Sequence, residues 1–490
     1  MAVIAKPLSQ LGLVSPRDIS VTGLAVDSRQ VGDGYLFAGL PGSNVHGAEF
    51  IQYALRQGAT AILTDAAGVD IARDHLAQFN PVVIQVENPR QALAGAAALF
   101  YAAQPATMVA VTGTNGKTSV STFCRQLWED LGENAVNLGT TGVEGAWTAP
   151  CAHTTPEPIT LHALLAQAAD HGITHAAMEA SSHGLAQHRM DGVRLMVAGF
   201  TNLSQDHLDY HADFDDYFNA KMGLFARVLS DDGILVVNCD DPRADQVLAH
   251  ANGRRCITVG HSDAANVQIL GQRFHATGQD IRFGWGGEIY QTSLPLVGGF
   301  QGENLLLAAA MVHAAGTPVG DVVQAMGAIK PVRGRMELAA TRQNGAPVYV
   351  DYAHTPDAVA TALQALRPHV MGRLVVVLGA GGDRDPSKRV HMGQAAAWHA
   401  DVVFITDDNP RSEDAASIRQ MVMAGAPGAS EVGDRAEAIL RGVDALGPGD
   451  CLLIAGKGHE TGQLVGDTLL PFDDVEQASI AVAALDGGMI

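Results

Sequence analysis

Short, nearly unbroken runs of apolar residues alternate along this chain with alanine-rich stretches whose apolar positions recur every three or four residues. The runs at 82–86, 108–112, 233–237, 373–378 and 401–406 are rich in valine and isoleucine. Strands covered on both faces and separated by helices read this way, so the pattern predicts an α/β protein with parallel sheets. An alanine-rich helix is predicted over 91–103. A second begins just after the run at 108–112, where Val120, Phe123, Leu127 and Leu131 keep helical spacing and Gly132 supplies a stop. No internal repeat, heptad pattern or low-complexity tract interrupts the alternation.

At 490 residues the chain exceeds what one hydrophobic core organises, and about three domains are expected. Breaks near 103–106 and at Lys330-Pro331 divide it into 1–104, 105–331 and 332–490. The middle part carries a P-loop ATPase-like parallel sheet, and the last is Rossmann-like. Residues are 47% hydrophobic and 17% charged, which opposes sustained disorder. There are 52 acidic against 31 basic residues, a net charge of −21. That balance argues against nucleic-acid or anionic-membrane binding and requires a locally basic pocket for any anionic substrate.

The five cysteines are scattered, with no Cys-x-x-Cys spacing, as expected of small core residues in a reducing compartment. The start of the chain lacks the features of a signal peptide, and no apolar run is long enough to cross a bilayer, so a cytoplasmic protein is expected.

The chemistry is densest after the run at 108–112. Gly113, Thr114, Asn115, Gly116, Lys117, Thr118 and Ser119 join that strand to the following helix. Backbone N–H groups, a helix N-terminus and a lysine ammonium together cradle phosphates, so ATP or GTP is the expected ligand. The loop is shorter than the usual P-loop, because Val111 stands where the first glycine would be.

Then come His153-Thr154-Thr155-Pro156, MEASSHGLAQHRMDG over 178–192, TNLSQDHLDYH over 201–211, and Lys221. Each falls where a strand ends or a helix begins, the ligand-binding edge of an open α/β sheet. Phosphoryl transfer calls for Mg²⁺ and therefore oxygen ligands, which Thr118 and Glu179 can supply. His207 and an unmodified Lys221 are not preferred ligands of Mg²⁺, and chemistry alone leaves their roles open. The run Gly379-Ala380-Gly381-Gly382 starts like a dinucleotide fingerprint, but Arg384 replaces its last glycine, which disfavours a nicotinamide cofactor.

The ordered set TGTNGKTS, TTP, MEASSHGL, FTNLSQDHLDYH, Lys221, VNCDD, GRME, DYAHTPD, GGDRD, DNPR and GKGHE closely resembles the Mur ligases over nearly the whole chain. The resemblance implies an N-terminal UDP-substrate domain, a central ATPase domain and a C-terminal amino-acid domain. It further implies a monomeric enzyme of peptidoglycan synthesis that uses ATP and Mg²⁺. That enzyme would add meso-diaminopimelate to the D-glutamate of UDP-N-acetylmuramoyl-L-alanyl-D-glutamate through an acyl phosphate. A ligase of the same fold adding L-lysine or another group, and an ATPase that joins nothing, remain as alternatives.

By the same resemblance, Lys117 and Thr118 hold phosphates and metal, while Glu179, His207 and a carbamoylated Lys221 complete the metal site. Asn304, Arg335, Asp351 and His354 match the nucleotide contacts. Ser28, His46, Thr154, Thr155, Ser181, Gln187 and Arg189 match the muramoyl-peptide contacts. Asp408, Asn409, Pro410, Arg411, Gly456 and Glu460 match the diaminopimelate site, with Arg389 and Arg411 on the distal carboxylate and Glu460 on the distal ammonium. L-Lysine lacks that carboxylate and would leave the two arginines without a partner.

Overall fold

The computed structural model describes residues 5–42, 45–208 and 210–487. Three sheets of four or more strands follow one another along the chain. In the first, Gly23–Ala25, Tyr35–Ala38, Ala61–Thr64 and Val82–Gln85 lie side by side in sequence order and all parallel. Their side chains alternate between two cores. Leu36, Leu63 and Ile84 pack with Leu93 and Ala97 of the helix Pro89–Tyr101, while Phe37 and Ile62 pack with Ile51 and Leu55 of the helix Ile51–Arg56. The helix expected over 91–103 starts two residues earlier because Pro89 occupies its first turn and the Asn88 side chain accepts from the Gln91 N–H.

The central sheet has ten strands. Seven are parallel, in the order Ala135–Gly139, His175–Glu179, Thr107–Thr112, Leu195–Phe200, Leu229–Asn238, Cys256–Gly260 and Val267–His275. Antiparallel strands close both edges, with Gly142–Gly145 at one and Gly278–Trp285 and Glu288–Leu294 at the other. Val109, Val111 and Val197 face the helices Lys117–Asp130 and Gly299–Ala314; Met108, Ala110 and Ala198 face Pro158–Asp170 and Phe214–Gly223. Cover on both faces explains why the run at 108–112 shows no polar alternation.

The third sheet runs Glu337–Thr341, Pro347–Asp351, Cys451–Ala455, Leu374–Leu378, Val402–Ile405 and Ser430–Glu431, parallel apart from the first strand. Behind it, Arg435 and Asp474 form a bidentate pair with both side chains fully buried, joining the helices Arg435–Asp444 and Asp474–Leu485. Among the described residues no helix is long and apolar enough to cross a membrane.

Candidate active site

The strand Thr107–Thr112 is central in its sheet, so the loop after it opens at the middle of the sheet's C-terminal edge. Gly113 and Gly116 both adopt positive φ. A Cβ on Gly113 would lie 1.9 Å from the Thr201 hydroxyl, and one on Gly116 would lie 2.6 Å from Asn304 Oδ1. Asn202, which had no assigned role, braces the loop by accepting the Asn115 N–H at 3.0 Å.

A cavity of about 520 Å³ lies over this loop, bordered by residues 114–119, Thr154, Glu179, Ser181, His207, Lys221, Asn304, Arg335, Asp351 and His354. Positions as far apart in sequence as Thr114 and His354 therefore share one space. Lys117 Nζ folds back onto the carbonyls of Gly113 and Thr114, at 2.9 and 2.8 Å. Lys221 Nζ reaches the same Gly113 carbonyl at 2.7 Å from the helix Phe214–Gly223, and the residue is 1% exposed. Burial, and then the neighbouring Lys117 ammonium, push Lys221 well below the ordinary lysine pKa, with Asp206 opposing. Lys221 is thus biased toward the neutral, nucleophilic amine.

Glu179 ends the strand His175–Glu179 and is buried. Its Oε1 accepts the Thr140 N–H at 2.8 Å, and Thr140 Oγ1 stands 3.3 Å from Oε2. The close approach requires Gly139, where a Cβ would meet Glu179 Oε1 at 2.0 Å. Gly139→Ala is expected to displace this carboxylate and lower kcat/KM about 10²-fold in a phosphate-release assay, with a thermal melt to show that the fold survives.

Thr155 buttresses the same strand end, donating to the Glu179 carbonyl at 2.9 Å and accepting the Ser181 N–H at 3.0 Å. Arg189 donates to the Thr155 carbonyl and to Gln187, and Gln187 donates to the Tyr210 hydroxyl.

His207 sits at φ +56°. Burial lowers its pKa to about 4, aided by His183, Lys117 and Lys221 and opposed by Asp206, so its ring is neutral. Thr118 Oγ1 accepts from Arg335 at 3.1 Å across 217 positions of sequence, and Arg335 stacks on Tyr352. Asp351 receives the backbone N–H groups of Met336 and Ala353 on its two oxygens, while burial raises its pKa. His354 Nδ1 is 2.8 Å from the Tyr352 carbonyl.

Thr118 and Glu179 bring hard oxygen donors to the border of the phosphate-loop cavity, which fits Mg²⁺. Among the described residues no group of three or more His, Cys, Asp or Glu side chains forms a metal site by itself. An ion here would need further oxygens, which nucleotide phosphates supply.

A second cavity of about 670 Å³ shares Thr154, His207 and His354 with the first and extends to Asp408, Asn409, Arg411, Gly456 and Glu460. The two motifs that follow Val402–Ile405 and Cys451–Ala455 do meet here. Arg411, at φ +52°, donates through Nη1 to the Gly382 carbonyl at 2.7 Å. Pro410 is buried, and its carbonyl accepts the Glu413 N–H. A Cβ on Gly456, at φ +115°, would lie 2.4 Å from Asp408 Oδ2.

Arg389 stands behind this wall and not in it. It is fully buried, and its guanidinium grips both oxygens of Glu413 at 2.7 and 2.8 Å, where a ligand carboxylate was expected. Ser28 and His46 border neither cavity. They follow the strands Gly23–Ala25 and Tyr35–Ala38, with His46 Nδ1 accepting the Ala48 N–H and Nε2 3.1 Å from Asp65.

Three family models match in succession: the Mur ligase catalytic domain over 20–101, the Mur ligase middle domain over 111–312 and the Mur ligase glutamate ligase domain over 334–458. Two curated relatives carry the name UDP-N-acetylmuramoyl-L-alanyl-D-glutamate--2,6-diaminopimelate ligase. The Brucella melitensis protein is 46% identical, with 95% of each chain covered, and the Agrobacterium fabrum protein is 45% identical, covering 99% of this chain and 96% of its own. A solved structure of a ligase with that name aligns at TM-score 0.70 and 31% identity, covering 98% and 99% of the two chains. MurF from Acinetobacter baumannii, at 16% identity, TM-score 0.64 and coverage of 93% and 96%, shares the fold. Three domains matched in order, and relatives nearly half identical from end to end, make this chain a member of the Mur ligase family of ATP-dependent peptide-bond-forming ligases.

Proposed function

We propose that this enzyme joins meso-diaminopimelate to the D-glutamate side chain of UDP-N-acetylmuramoyl-L-alanyl-D-glutamate in peptidoglycan synthesis, working on the cytoplasmic ATP supply. The observation that carries the reading is the meeting, at Thr154, His207 and His354, of the phosphate-loop cavity with the crevice built from Asp408, Asn409, Arg411 and Glu460. A phosphoryl donor bound in the first and an amine bound in the second would meet at one junction.

In the first step the γ-phosphoryl group passes from ATP to the glutamate carboxylate, giving an acyl phosphate and ADP. The amine of diaminopimelate then attacks that carbonyl carbon and loses a proton. The C–O bond to phosphate breaks, and an amide and inorganic phosphate remain. Lys117 and the loop N–H groups hold the transferring phosphate, Asn304 lies over the loop for the base, and Arg335 braces Thr118. Arg411 takes the distal carboxylate and Glu460 the distal ammonium, while Arg389 acts through Glu413 on the loop that carries Arg411.

Thr118, Glu179, His207 and a carbamoylated Lys221 would hold Mg²⁺, whose chemistry there would be to neutralise phosphate charge. In its uncharged form, which burial favours, the Lys221 amine can add to CO₂, releasing one proton and leaving a carbamate whose oxygens suit a hard cation.

The test supplies purified protein with ATP, Mg²⁺ and the muramoyl dipeptide, adding either meso-diaminopimelate or L-lysine, and reads product mass with phosphate release. Tripeptide with diaminopimelate alone is expected. Product with lysine would reassign the amino acid, and phosphate release that ignores the added amino acid would leave an ATPase.

A further inference from the structure

Lys457, next to the ligand-facing residues but assigned no role so far, is fully buried. Its Nζ donates to Asn409 Oδ1 at 2.9 Å and to Glu460 Oε2 at 3.1 Å. Asn409 Nδ2 donates to the same Glu460 oxygen at 2.8 Å, so the three side chains form a closed triangle. Glu460 Oε1 takes no part in the triangle, and the Glu460 side chain is 30% exposed to the second cavity.

We propose that Lys457 is a positioning residue for amino-acid selection: it fixes Asn409 and Glu460 so that one carboxylate oxygen alone faces the distal ammonium of the incoming diamino acid. This rests on the amino-acid crevice described above. A carboxylate pinned at one oxygen loses little freedom when the other binds, and a pre-formed acceptor discriminates more sharply than a mobile one.

The surroundings leave the triangle little room to rearrange. Lys457 lies between Gly456 and Gly458, both at positive φ. A Cβ on Gly458 would come within 2.7 Å of Tyr352 Cβ. The Glu460 N–H closes a turn onto the Lys457 carbonyl at 3.0 Å. The hairpin formed by Gly462–Val465 and Thr468–Pro471 locks the opposite side. Leu464 N–H donates to Asn409 Oδ1 at 2.9 Å, Gln463 donates to the Asp408 carbonyl at 2.7 Å, and Arg411 N–H donates to the Leu464 carbonyl at 3.0 Å. With Oδ1 receiving both Lys457 and Leu464, the Asn409 amide has one orientation that satisfies every partner.

The test compares meso-diaminopimelate with 2-aminopimelate, which keeps both carboxylates and lacks the distal amine, in the wild type and in Lys457→Met and Lys457→Gln. Wild type is expected to prefer diaminopimelate by about tenfold or more in kcat/KM, the scale of one charged hydrogen bond. In Lys457→Met that preference is expected to fall to about threefold or less, while KM for ATP stays within about twofold. Lys457→Gln, which can still donate, is expected to fall between them and serves where the methionine variant does not fold.

An unchanged preference in either folded variant overturns the positioning role. So does a uniform loss on diaminopimelate, 2-aminopimelate and ATP, which is the mark of a purely structural lysine. Absence of product from wild type with diaminopimelate refutes the parent reading instead.

Discussion

Replacing Lys117 with alanine is expected to lower kcat/KM for ligation about 10³-fold or more, the scale of removing a charge aimed at a transferring phosphoryl group. The ammonium is held at the mouth of the loop by the Gly113 and Thr114 carbonyls, within the electrostatic reach of Glu179, Asp206 and Arg335. Burial lowers its pKa while Glu179 and Asp206 oppose the shift, and a phosphate beside it would add to their pull toward the charged ammonium. Lys117→Arg is not a conservative control, because a planar fork does not fill the place of a point charge. The measurement is phosphate release with all three substrates, read beside a thermal melt. Full activity in Lys117→Ala would remove the phosphate loop from the mechanism.

What could be read in advance follows from how far each feature reaches along the chain. The phosphate loop is local: strand, two glycines, lysine and helix are contiguous, and the fold places them as their order implies. The buried parallel strands are legible because helices on both faces remove any need for polar residues. The outer part of the central sheet is not, because Gly278–Trp285 mixes buried with more exposed positions, Glu288–Leu294 is buried only at Leu294, and neither forms an apolar run.

Side-chain partners were the hardest to foresee. Thr140 holding Glu179, Arg335 reaching Thr118 and Lys457 pinning Glu460 depend on which strands become neighbours. Arg389 shows the same limit from the other direction. The resemblance puts Arg389 on a ligand carboxylate, but a motif match cannot reveal that Glu413 pairs with the guanidinium in this chain.

The largest change in selectivity is expected from Arg411→Ala. In the proposed complex its guanidinium meets the distal carboxylate that separates diaminopimelate from lysine. Nη1 is fixed on the Gly382 carbonyl, so the rest of the fork is presented in one orientation. The backbone is held as firmly: Arg411 N–H donates to Leu464, and the Gly466 N–H donates to the Arg411 carbonyl at 2.7 Å. Gly381 leaves space for the side chain, since a Cβ there would come within 2.9 Å of Nη1.

Truncating one partner of such a charge pair costs about 2–5 kcal/mol, so KM for diaminopimelate is expected to rise by at least about 30-fold. L-Lysine never makes the lost contact, and its kcat/KM is expected to hold or improve once an unpaired guanidinium no longer has to be covered. The decisive quantity is therefore the ratio of kcat/KM for the two amino acids, measured in wild type and variant under the same ATP concentration. A ratio that falls by at least about 30-fold assigns the distal carboxylate to Arg411. A ratio that stays constant while both activities drop means that Arg411 serves only to hold its loop.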